Sequence, residues 1–181
     1  MLIIIANPLP EYDSNFVNLP LITKSYNYMD QLKEGMKAPG FTGVDQNGNT
    51  VSLKDFSGRK LILYFYPKDN TPGCTAEACN LRDNHDIFLE KGFAVVGVSM
   101  DSEKSHKNFA QKYSLPFPLI ADTTKSITDA YGVWKEKKMY GRTFLGIART
   151  TFVINEEGII EKIISKVDTK EHSEQIFGLY K

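Results

Sequence analysis

Two cysteines, the only ones in the chain, stand five positions apart as Cys74 and Cys79. Cys74 follows an apolar, strand-like run and a Pro/Gly loop, and it precedes a segment with helical periodicity. Backbone N–H groups and the dipole at a helix N-terminus favour negative charge, and the thiolate is the nucleophilic form of cysteine. Cys74 is therefore a candidate nucleophile, and a second cysteine nearby in the sequence, such as Cys79, can condense with an oxidised first one. The alternative, a buried and inert cysteine, fits poorly with a position directly after Thr-Pro-Gly.

The segments around the cysteines alternate between strand-like and helix-like patterns. Residues 60–66 are almost all apolar or aromatic, which is typical of a strand buried on both faces. Residues 75–91 carry apolar side chains at helical spacing, and Gly92 follows as a helix-ending residue. The other predicted elements are a hairpin at 41–53, strands at 93–98, 119–121, 150–154 and 159–165, and helices at 103–113, 124–131 and 169–179. This order predicts an α/β domain with a mixed sheet.

Length and composition limit the class of protein. With 181 residues, of which 41% are hydrophobic and 24% charged, the chain fits one globular domain. Basic and acidic residues both number 22, so no nucleic-acid partner is expected. No apolar run reaches the length of a membrane span. Two cysteines are too few for a disulfide-stapled scaffold or a four-ligand zinc site, and the three histidines lack metal-ligand spacing.

Residues 64–79 carry a specific signature. They read Tyr-Phe-Tyr-Pro-Lys-Asp-Asn-Thr-Pro-Gly-Cys-Thr-Ala-Glu-Ala-Cys, which resembles the active site of the peroxiredoxins. Pro67, Thr71 and Cys74 fall on that family's Pro-x-x-x-Thr-x-x-Cys motif, and Cys79 on the resolving cysteine of the bacterioferritin comigratory protein, or peroxiredoxin Q, subfamily. The resemblance runs from about residue 33 to the C-terminus. It implies a thioredoxin-like fold, with a central mixed β-sheet flanked by helices and an N-terminal β-hairpin.

The resemblance also implies roles for the residues of the motif. Cys74 is the expected peroxidatic nucleophile, Thr71 is expected to bond its thiolate and orient the peroxide, and Pro67 to shield it. The backbone N–H groups of Gly73 and Cys74, at a predicted helix N-terminus, are expected donors to the peroxide oxygen. Without the motif, Thr71 and Pro67 would be interpreted as turn and strand-ending residues.

Arg149 and Glu77 complete the expected site. Arg149 precedes the strand 150–154 and matches the family's Arg-x-Thr-Phe pattern, whose arginine reaches the nucleophile. A fixed cation there would stabilise the thiolate and the charge of the transition state. Glu77 resembles the glutamate that pairs with this arginine, although a first-turn acidic residue also complements the helix dipole. Arg142 is the weaker alternative, because it lies in a loop-like Gly-Arg-Thr sequence after a Lys/Glu-rich, solvated-looking segment.

Cys79 is expected to resolve oxidised Cys74 through an intramolecular disulfide. In an ideal helix, residues i and i+5 have Cα atoms roughly 8–9 Å apart, whereas a disulfide needs less than about 7 Å. The two cysteines can therefore bond only if the first turns of the helix unwind, and we expect oxidation to unwind them and reduction to restore them. In the alternative, Cys79 fills the core and a second molecule resolves Cys74.

The function implied by this resemblance is a thiol peroxidase of antioxidant defence. It would reduce hydrogen peroxide and organic hydroperoxides, be recycled by thioredoxin or a similar dithiol, and need no metal, haem or flavin, because sulfur carries the electrons. Two other functions stay open: a thiol–disulfide oxidoreductase, which usually has Cys-x-x-Cys, and a redox-sensing or chaperone-like protein that turns over poorly. An intramolecular disulfide needs no partner chain, so we expect a monomer.

Residues 1–32 stand apart from the domain predicted for residues 33–181. They show no sustained periodicity and include three prolines. We interpret them as a poorly ordered extension or as the product of an upstream start codon, with Met29 as the true start; a lipid or partner anchor is the alternative. The first six residues are apolar but lack the basic region and the length of a secretory signal, so we expect a cytoplasmic protein.

Overall fold

A computed structural model describes residues 32–139 and 141–180. The predicted N-terminal extension, apart from its last residue, lies outside the described residues. The strands are β1 (Thr42–Val44), β2 (Thr50–Ser52), β3 (Lys60–Phe65), β4 (Phe93–Ser99), β5 (Leu119–Ala121), β6 (Trp134–Met139), β7 (Arg142–Ile147), β8 (Thr150–Ile154) and β9 (Ile160–Ile164). The helices are α1 (Pro72–Asp83), α2 (His85–Glu90), α3 (Glu103–Tyr113), α4 (Ser126–Ala130) and α5 (His172–Phe177).

The central sheet of the described residues has the strand order β5-β4-β3-β8-β9. Strands β3, β4 and β5 run parallel, whereas β8 pairs antiparallel with both β3 and β9. The predicted mixed sheet is therefore confirmed. Its middle strand, β3, is buried on both faces, as its apolar run predicts, because helices or other chain segments cover each side of the sheet.

Each face of the sheet packs against its own hydrophobic cluster. One face meets α1, α2, α3 and α5 through buried side chains that include Ala78, Phe88, Phe109 and Ile176. The other face meets the β1–β2 hairpin and α4 through buried side chains that include Phe41, Val51, Ile127 and Tyr131. Helix α1, which carries both cysteines, thus packs against the same face of the sheet as α2, α3 and α5. Cys74 is one of the buried residues of that cluster.

The predicted N-terminal β-hairpin is confirmed. β1 and β2 pair antiparallel, with Gly43 opposite Val51. The connection is closed by Asp45, whose carboxylate accepts from the N–H groups of Asn47 and Asn49 at 2.8 and 2.9 Å. Gly48 adopts a φ of +83° in this turn, a conformation that glycine reaches without the steric cost of a Cβ.

The single helix predicted over 75–91 is wrong in two respects. It begins at Pro72, and it is two helices, α1 and α2, that meet at Asn84. The side-chain amide of Asn84 donates to the carbonyl of Asn80 at 3.0 Å, so it competes with the backbone for that acceptor. Helical periodicity of apolar residues continues across such a break, which is why the pattern alone predicted one helix.

The Lys/Glu-rich segment that we expected to be a solvated face followed by a loop forms a two-stranded ribbon. β6 and β7 pair antiparallel from Trp134 opposite Ile147 to Met139 opposite Arg142. Most of β7 is exposed, so the ribbon lacks the apolar alternation that reveals a half-buried strand. Gly141 provides the positive φ, +73°, of the connection.

The remaining helices differ from expectation mainly in length. α3 has the predicted bounds and is capped by Ser102, whose hydroxyl accepts from the N–H of Ser105 at 3.3 Å. α4 and α5 are shorter than predicted, and α5 continues as a 3₁₀ turn over Gly178–Tyr180. In the described parts of the chain, no helix combines the length and the apolar character needed to cross a bilayer.

Candidate active site

Cys74 occupies the third position of α1. Thr71 is the capping residue and Pro72 the first helical residue, where the missing N–H of proline costs nothing. The first backbone bond of the helix runs from Thr75 N–H to the Thr71 carbonyl, at 2.9 Å. The N–H groups of Gly73 and Cys74 precede it and so have no intrahelical acceptor. They are donors at the positive end of the helix, beside the sulfur.

Arg149 joins Cys74 to Glu77. It lies in the short connection between β7 and β8, so its backbone is set by the central sheet. Its Nη2 donates to the Cys74 Sγ at 3.2 Å, and its Nη1 donates to the Glu77 carboxylate. One planar guanidinium thus contacts both groups, which a lysine ammonium could not do with the same geometry. The structure brings together these three residues, which are up to 75 positions apart in the sequence.

The electrostatics of this trio are dominated by burial. The Glu77 side chain is fully buried, and burial raises its pKa to about 7, while the Arg149 guanidinium acts in the opposite direction. Burial lowers the pKa of Arg149, but the neighbouring Glu77 and Cys74 outweigh it and hold the pKa above its usual value. Arg149 therefore stays charged and presents a fixed cation to the sulfur.

A histidine that the sequence did not connect with the site lies behind Glu77. His172, at the start of α5, is fully buried, and its Nε2 lies 2.8 Å from the Thr151 hydroxyl and 4.0 Å from Glu77 Oε1. Burial lowers the pKa of His172 to about 4, so the ring is neutral at neutral pH. The ring therefore adds no second positive charge beside Glu77. Of the two roles expected for this histidine, solvated or structural, the structure shows the structural one. No spacing in the sequence indicated this contact.

Thr71 and Pro67 lie in the loop that precedes the nucleophile. The Thr71 hydroxyl donates its proton to the carbonyl of Lys68 at 2.9 Å. The proton is therefore not available to the Cys74 sulfur in this conformation, which differs from the bond that the resemblance implies. The Thr71 oxygen keeps its lone pairs as acceptors. Pro67 is half-buried just beyond the end of β3, and Asn70 bends the loop with a φ of +57°.

Gly73 lies beside the arginine at the helix end. A Cβ built at this position would lie 3.4 Å from Arg149 Nη2, which is an ordinary van der Waals contact. The backbone of the first turn of α1 is therefore within contact distance of the cation that contacts Cys74.

Both cysteines are free thiols within the continuous helix α1. Cys74 is only 1% exposed, whereas Cys79 is half-buried. Because residues five apart in an intact helix are roughly 8–9 Å apart at Cα, a bond between them requires a change in α1. The structure thus has the arrangement expected of the reduced form.

The other candidates lie elsewhere. Arg142, the weaker alternative to Arg149, is exposed on β7. A cavity of about 690 Å³ is lined by the β1–β2 region, including Phe41 and Leu53, and by the turn 155–158. None of the predicted site residues is among those that line it.

Comparisons with known proteins place this geometry in a family. Residues 35–163 match the model of the AhpC/TSA family. Peroxiredoxin Bcp of Bacillus subtilis (strain 168) is 46% identical over 138 residues, which cover 76% of this chain and 88% of the relative. Peroxiredoxin Bcp of Escherichia coli (strain K12) is 40% identical over 153 residues, which cover 84% of this chain and 98% of the relative.

Solved structures agree with the sequence comparisons. The bacterioferritin comigratory protein of Xanthomonas campestris matches with a TM-score of 0.75 and 34% identity, over 81% of this chain and 96% of that one. A cysteine-to-serine variant of PrxQ from Xylella fastidiosa matches with a TM-score of 0.78 and 32% identity, over 82% and 95%. These matches confirm the predicted thioredoxin-like fold. The chain therefore belongs to the AhpC/TSA family, as a thiol peroxidase of the Bcp or peroxiredoxin Q type.

Proposed function

We propose that Cys74 is the peroxidatic nucleophile and that its thiolate attacks the terminal oxygen of a hydroperoxide. The S–O bond forms as the O–O bond breaks, and the leaving oxygen takes up a proton to become water or an alcohol. Cys74 is left as a sulfenic acid. The observation that carries this proposal is the 3.2 Å contact of Arg149 Nη2 with Cys74 Sγ at the N-terminus of α1. A fixed cation and a helix end both favour the thiolate.

The surrounding groups are suited to stabilise the transition state. Negative charge moves from sulfur to the departing oxygen, and donors that are already in place lower the cost of that shift. Arg149 and the N–H groups of Gly73 and Cys74 are such donors. Thr71, whose proton is engaged by Lys68, can accept the O–H of the incoming hydroperoxide and so orient it. Pro67 covers the loop and limits access of water, and Glu77 holds Arg149 in place.

Cys79 then resolves the sulfenic acid. Its thiol sulfur attacks Cys74 Sγ, water leaves, and an intramolecular disulfide forms. The intact helix keeps the sulfurs apart, so the first turns of α1 unwind before this step. The location of both cysteines on one helix supports resolution within a single chain, and we propose a monomer on this basis.

A dithiol donor of the thioredoxin type completes the cycle by reducing the disulfide. Such donors operate in reducing compartments, which supports a cytoplasmic location. We include organic hydroperoxides with hydrogen peroxide as substrates, since the Xanthomonas campestris relative is described by its alkyl peroxide reduction activity. The role in cells is antioxidant defence and redox homeostasis.

Mass analysis after one equivalent of hydrogen peroxide tests the assignment. We expect the reduced protein to lose two hydrogens and peptide mapping to join Cys74 to Cys79 within one chain. Cys74→Ser should abolish turnover, and Cys79→Ser should complete one round of peroxide reduction and stop. Normal turnover by Cys74→Ser would refute the nucleophile. A covalent dimer would refute only the resolving step, and a parent protein that peroxide leaves unchanged would favour a protein thiol–disulfide oxidoreductase.

A further inference from the structure

A buried polar cluster that the reaction above does not use lies beside the catalytic loop, residues 67–71. Its centre is Asp69, which is paired with His106 of α3, and both side chains are almost completely buried. His106 Nδ1 lies 2.9 Å from Asp69 Oδ2. Tyr66 donates its hydroxyl to Asp69 Oδ1 at 2.8 Å, and Ser105 donates to Oδ2 at 2.7 Å. Both oxygens of this carboxylate are therefore satisfied.

Each ring nitrogen of His106 faces an oxygen atom on another segment of the chain. Nδ1 faces the Asp69 carboxylate, and Nε2 lies 3.2 Å from the carbonyl oxygen of Ile120 on β5. The ring therefore bridges the loop that carries Asp69 and the central sheet. The second buried histidine makes different contacts, because His172 Nε2 has the hydroxyl of Thr151 as its neighbour.

Asp69 is held in its ionised form. Burial raises the pKa of this carboxyl, but the hydrogen bonds and charge of His106, with Ser105 and Tyr66, outweigh burial and keep the pKa below its usual value. A buried polar pair of this kind is weak evidence for stability, since hydrophobic replacements are often as stable. Its position on the catalytic loop suggests a different reason for its presence.

The peptide unit between Lys68 and Asp69 connects this pair to Thr71. The carbonyl of that unit, on Lys68, accepts the Thr71 hydroxyl at 2.9 Å. Its N–H, on Asp69, donates to Asp101 Oδ2 at 2.9 Å. Rotation of this peptide plane would break both bonds at once. The Asp69 side chain is bonded to Ser105 and His106 of α3, and through His106 it is linked to β5, so it is held on the same side of this peptide unit.

We propose that the Asp69–His106 pair is a positioning device for the Thr71 hydroxyl. It fixes the Lys68–Asp69 peptide, that peptide takes up the Thr71 proton, and the Thr71 oxygen is left facing the substrate as an acceptor. Neither member of the pair touches the reacting atoms. This inference rests on the proposed function, because it assigns Thr71 the task of orienting the hydroperoxide.

The test compares two reactions of the same sulfur. In a Cys79→Ser background, which stops after one oxidation, Cys74 is reacted with hydrogen peroxide and, separately, with iodoacetamide. Alkylation needs the thiolate but no hydroperoxide orientation. For Asp69→Asn and for His106→Gln we expect the peroxide rate constant to fall about 10- to 100-fold, with alkylation changed by less than about twofold. His85→Gln, a half-buried histidine on α2, is the matched control and should change neither rate.

A double-mutant cycle shows whether the Asp69–His106 pair affects the peroxide rate through Thr71. If the pair acts through Thr71, His106→Gln should cause no further loss of peroxide rate in a Thr71→Val background. Should either variant fail to fold, Ser105→Ala removes one hydrogen bond to Asp69 without changing charge, and we expect a smaller loss, about 2- to 10-fold, in the peroxide reaction alone.

Three results would overturn the inference. The peroxide and alkylation rates could fall equally, neither rate could fall, or the loss of peroxide rate in His106→Gln could add to the loss caused by Thr71→Val. These results count against the inference only when the Cys79→Ser parent is itself oxidised normally at Cys74. A parent that fails to oxidise there would instead refute the proposed function, so the two failures are distinguishable.

Discussion

Asn80 of α1 and Ser173 of α5 are joined by two hydrogen bonds. The Ser173 N–H donates to Asn80 Oδ1 at 2.7 Å, and its hydroxyl donates to the Asn80 carbonyl at 3.1 Å. The Asn80 amide also donates to the carbonyl of Lys170 at 2.9 Å. Because Asn80 is the neighbour of Cys79, this contact fastens to α5 the part of α1 that must move if the two cysteines are to meet.

Replacing Asn80 with alanine should therefore loosen α1. We expect the free energy of unfolding to fall by about 1–2 kcal/mol, since the buried Ser173 N–H loses its side-chain acceptor, whereas the Ser173 hydroxyl keeps the Asn80 backbone carbonyl. Disulfide closure after sulfenic acid formation should become several-fold faster, about 3- to 10-fold, because less of the helix must be released. Stopped-flow measurement of closure tests this. Asn47→Ala, in the exposed hairpin turn, is the matched control, and an unchanged or slower closure in Asn80→Ala would contradict the prediction.

Arg149 should not tolerate lysine. Its two terminal nitrogens separately contact Cys74 and Glu77, and an ammonium is a single point of charge. We expect Arg149→Lys to reduce the second-order rate constant for hydrogen peroxide by about 100-fold or more. Arg142→Lys, on exposed β7, is the control and should react as the parent does. A fast Arg149→Lys enzyme would mean that positive charge alone is sufficient.

The redox state should change the protection of α1. In the reduced protein the backbone bonds of this helix are intact from Pro72 to Asp83, so its amides after the first turn should exchange slowly. In the disulfide form we expect faster hydrogen exchange over residues 74–82, with the strands β3 and β8 unchanged. Mass spectrometry of reduced and oxidised samples measures this directly. Identical protection in the two states would exclude unwinding.

His172 should make stability depend on pH. Its pKa is about 4 in the folded protein, against 6.5 for an ordinary histidine. Between these values the unfolded chain binds a proton that the folded protein does not, so stability is lost as pH falls from 6.5 towards 4. The loss attributable to this ring is about 3 kcal/mol.

The comparison for this prediction is His172→Gln. This variant cannot titrate at position 172, so its stability should decline less over the same pH range when measured by urea unfolding. Glu77 is present in both proteins, so the difference between their pH profiles reports the loss of the histidine together with its effect on the neighbouring carboxyl. Parallel pH profiles would show that the folded protein binds the proton as readily as the unfolded chain.

Local patterns in the sequence predict most of the fold. The buried strands are predicted by their apolar runs. The bounds of α3 are predicted by the capping residue Ser102 and by the helical spacing of its apolar side chains. Two larger differences are not visible in the composition. The helix predicted over 75–91 breaks at Asn84, whose side chain shares the Asn80 carbonyl with the backbone, and the β6–β7 ribbon is held by cross-strand pairing while most of β7 stays exposed.

The site could be predicted only in part. Cys74, Thr71 and Pro67 lie in one short motif, and the resemblance to a family supplied Arg149 and Glu77. The direction of the Thr71 hydrogen bond, the contact of His172 with Thr151 and the clamp of Asp69 by His106 depend on how distant segments pack. No periodicity or spacing encodes such contacts, because each joins elements that meet only in the folded molecule.

The location of Arg149 has a consequence for the whole catalytic cycle. It immediately precedes β8, which is paired on both sides within the central sheet, whereas Cys74 belongs to the helix that is proposed to open. We therefore expect the cation to keep its position while the helix opens and closes. On reduction, α1 would refold against an arginine that has not moved, and each turnover would start from the same alignment of cation and sulfur.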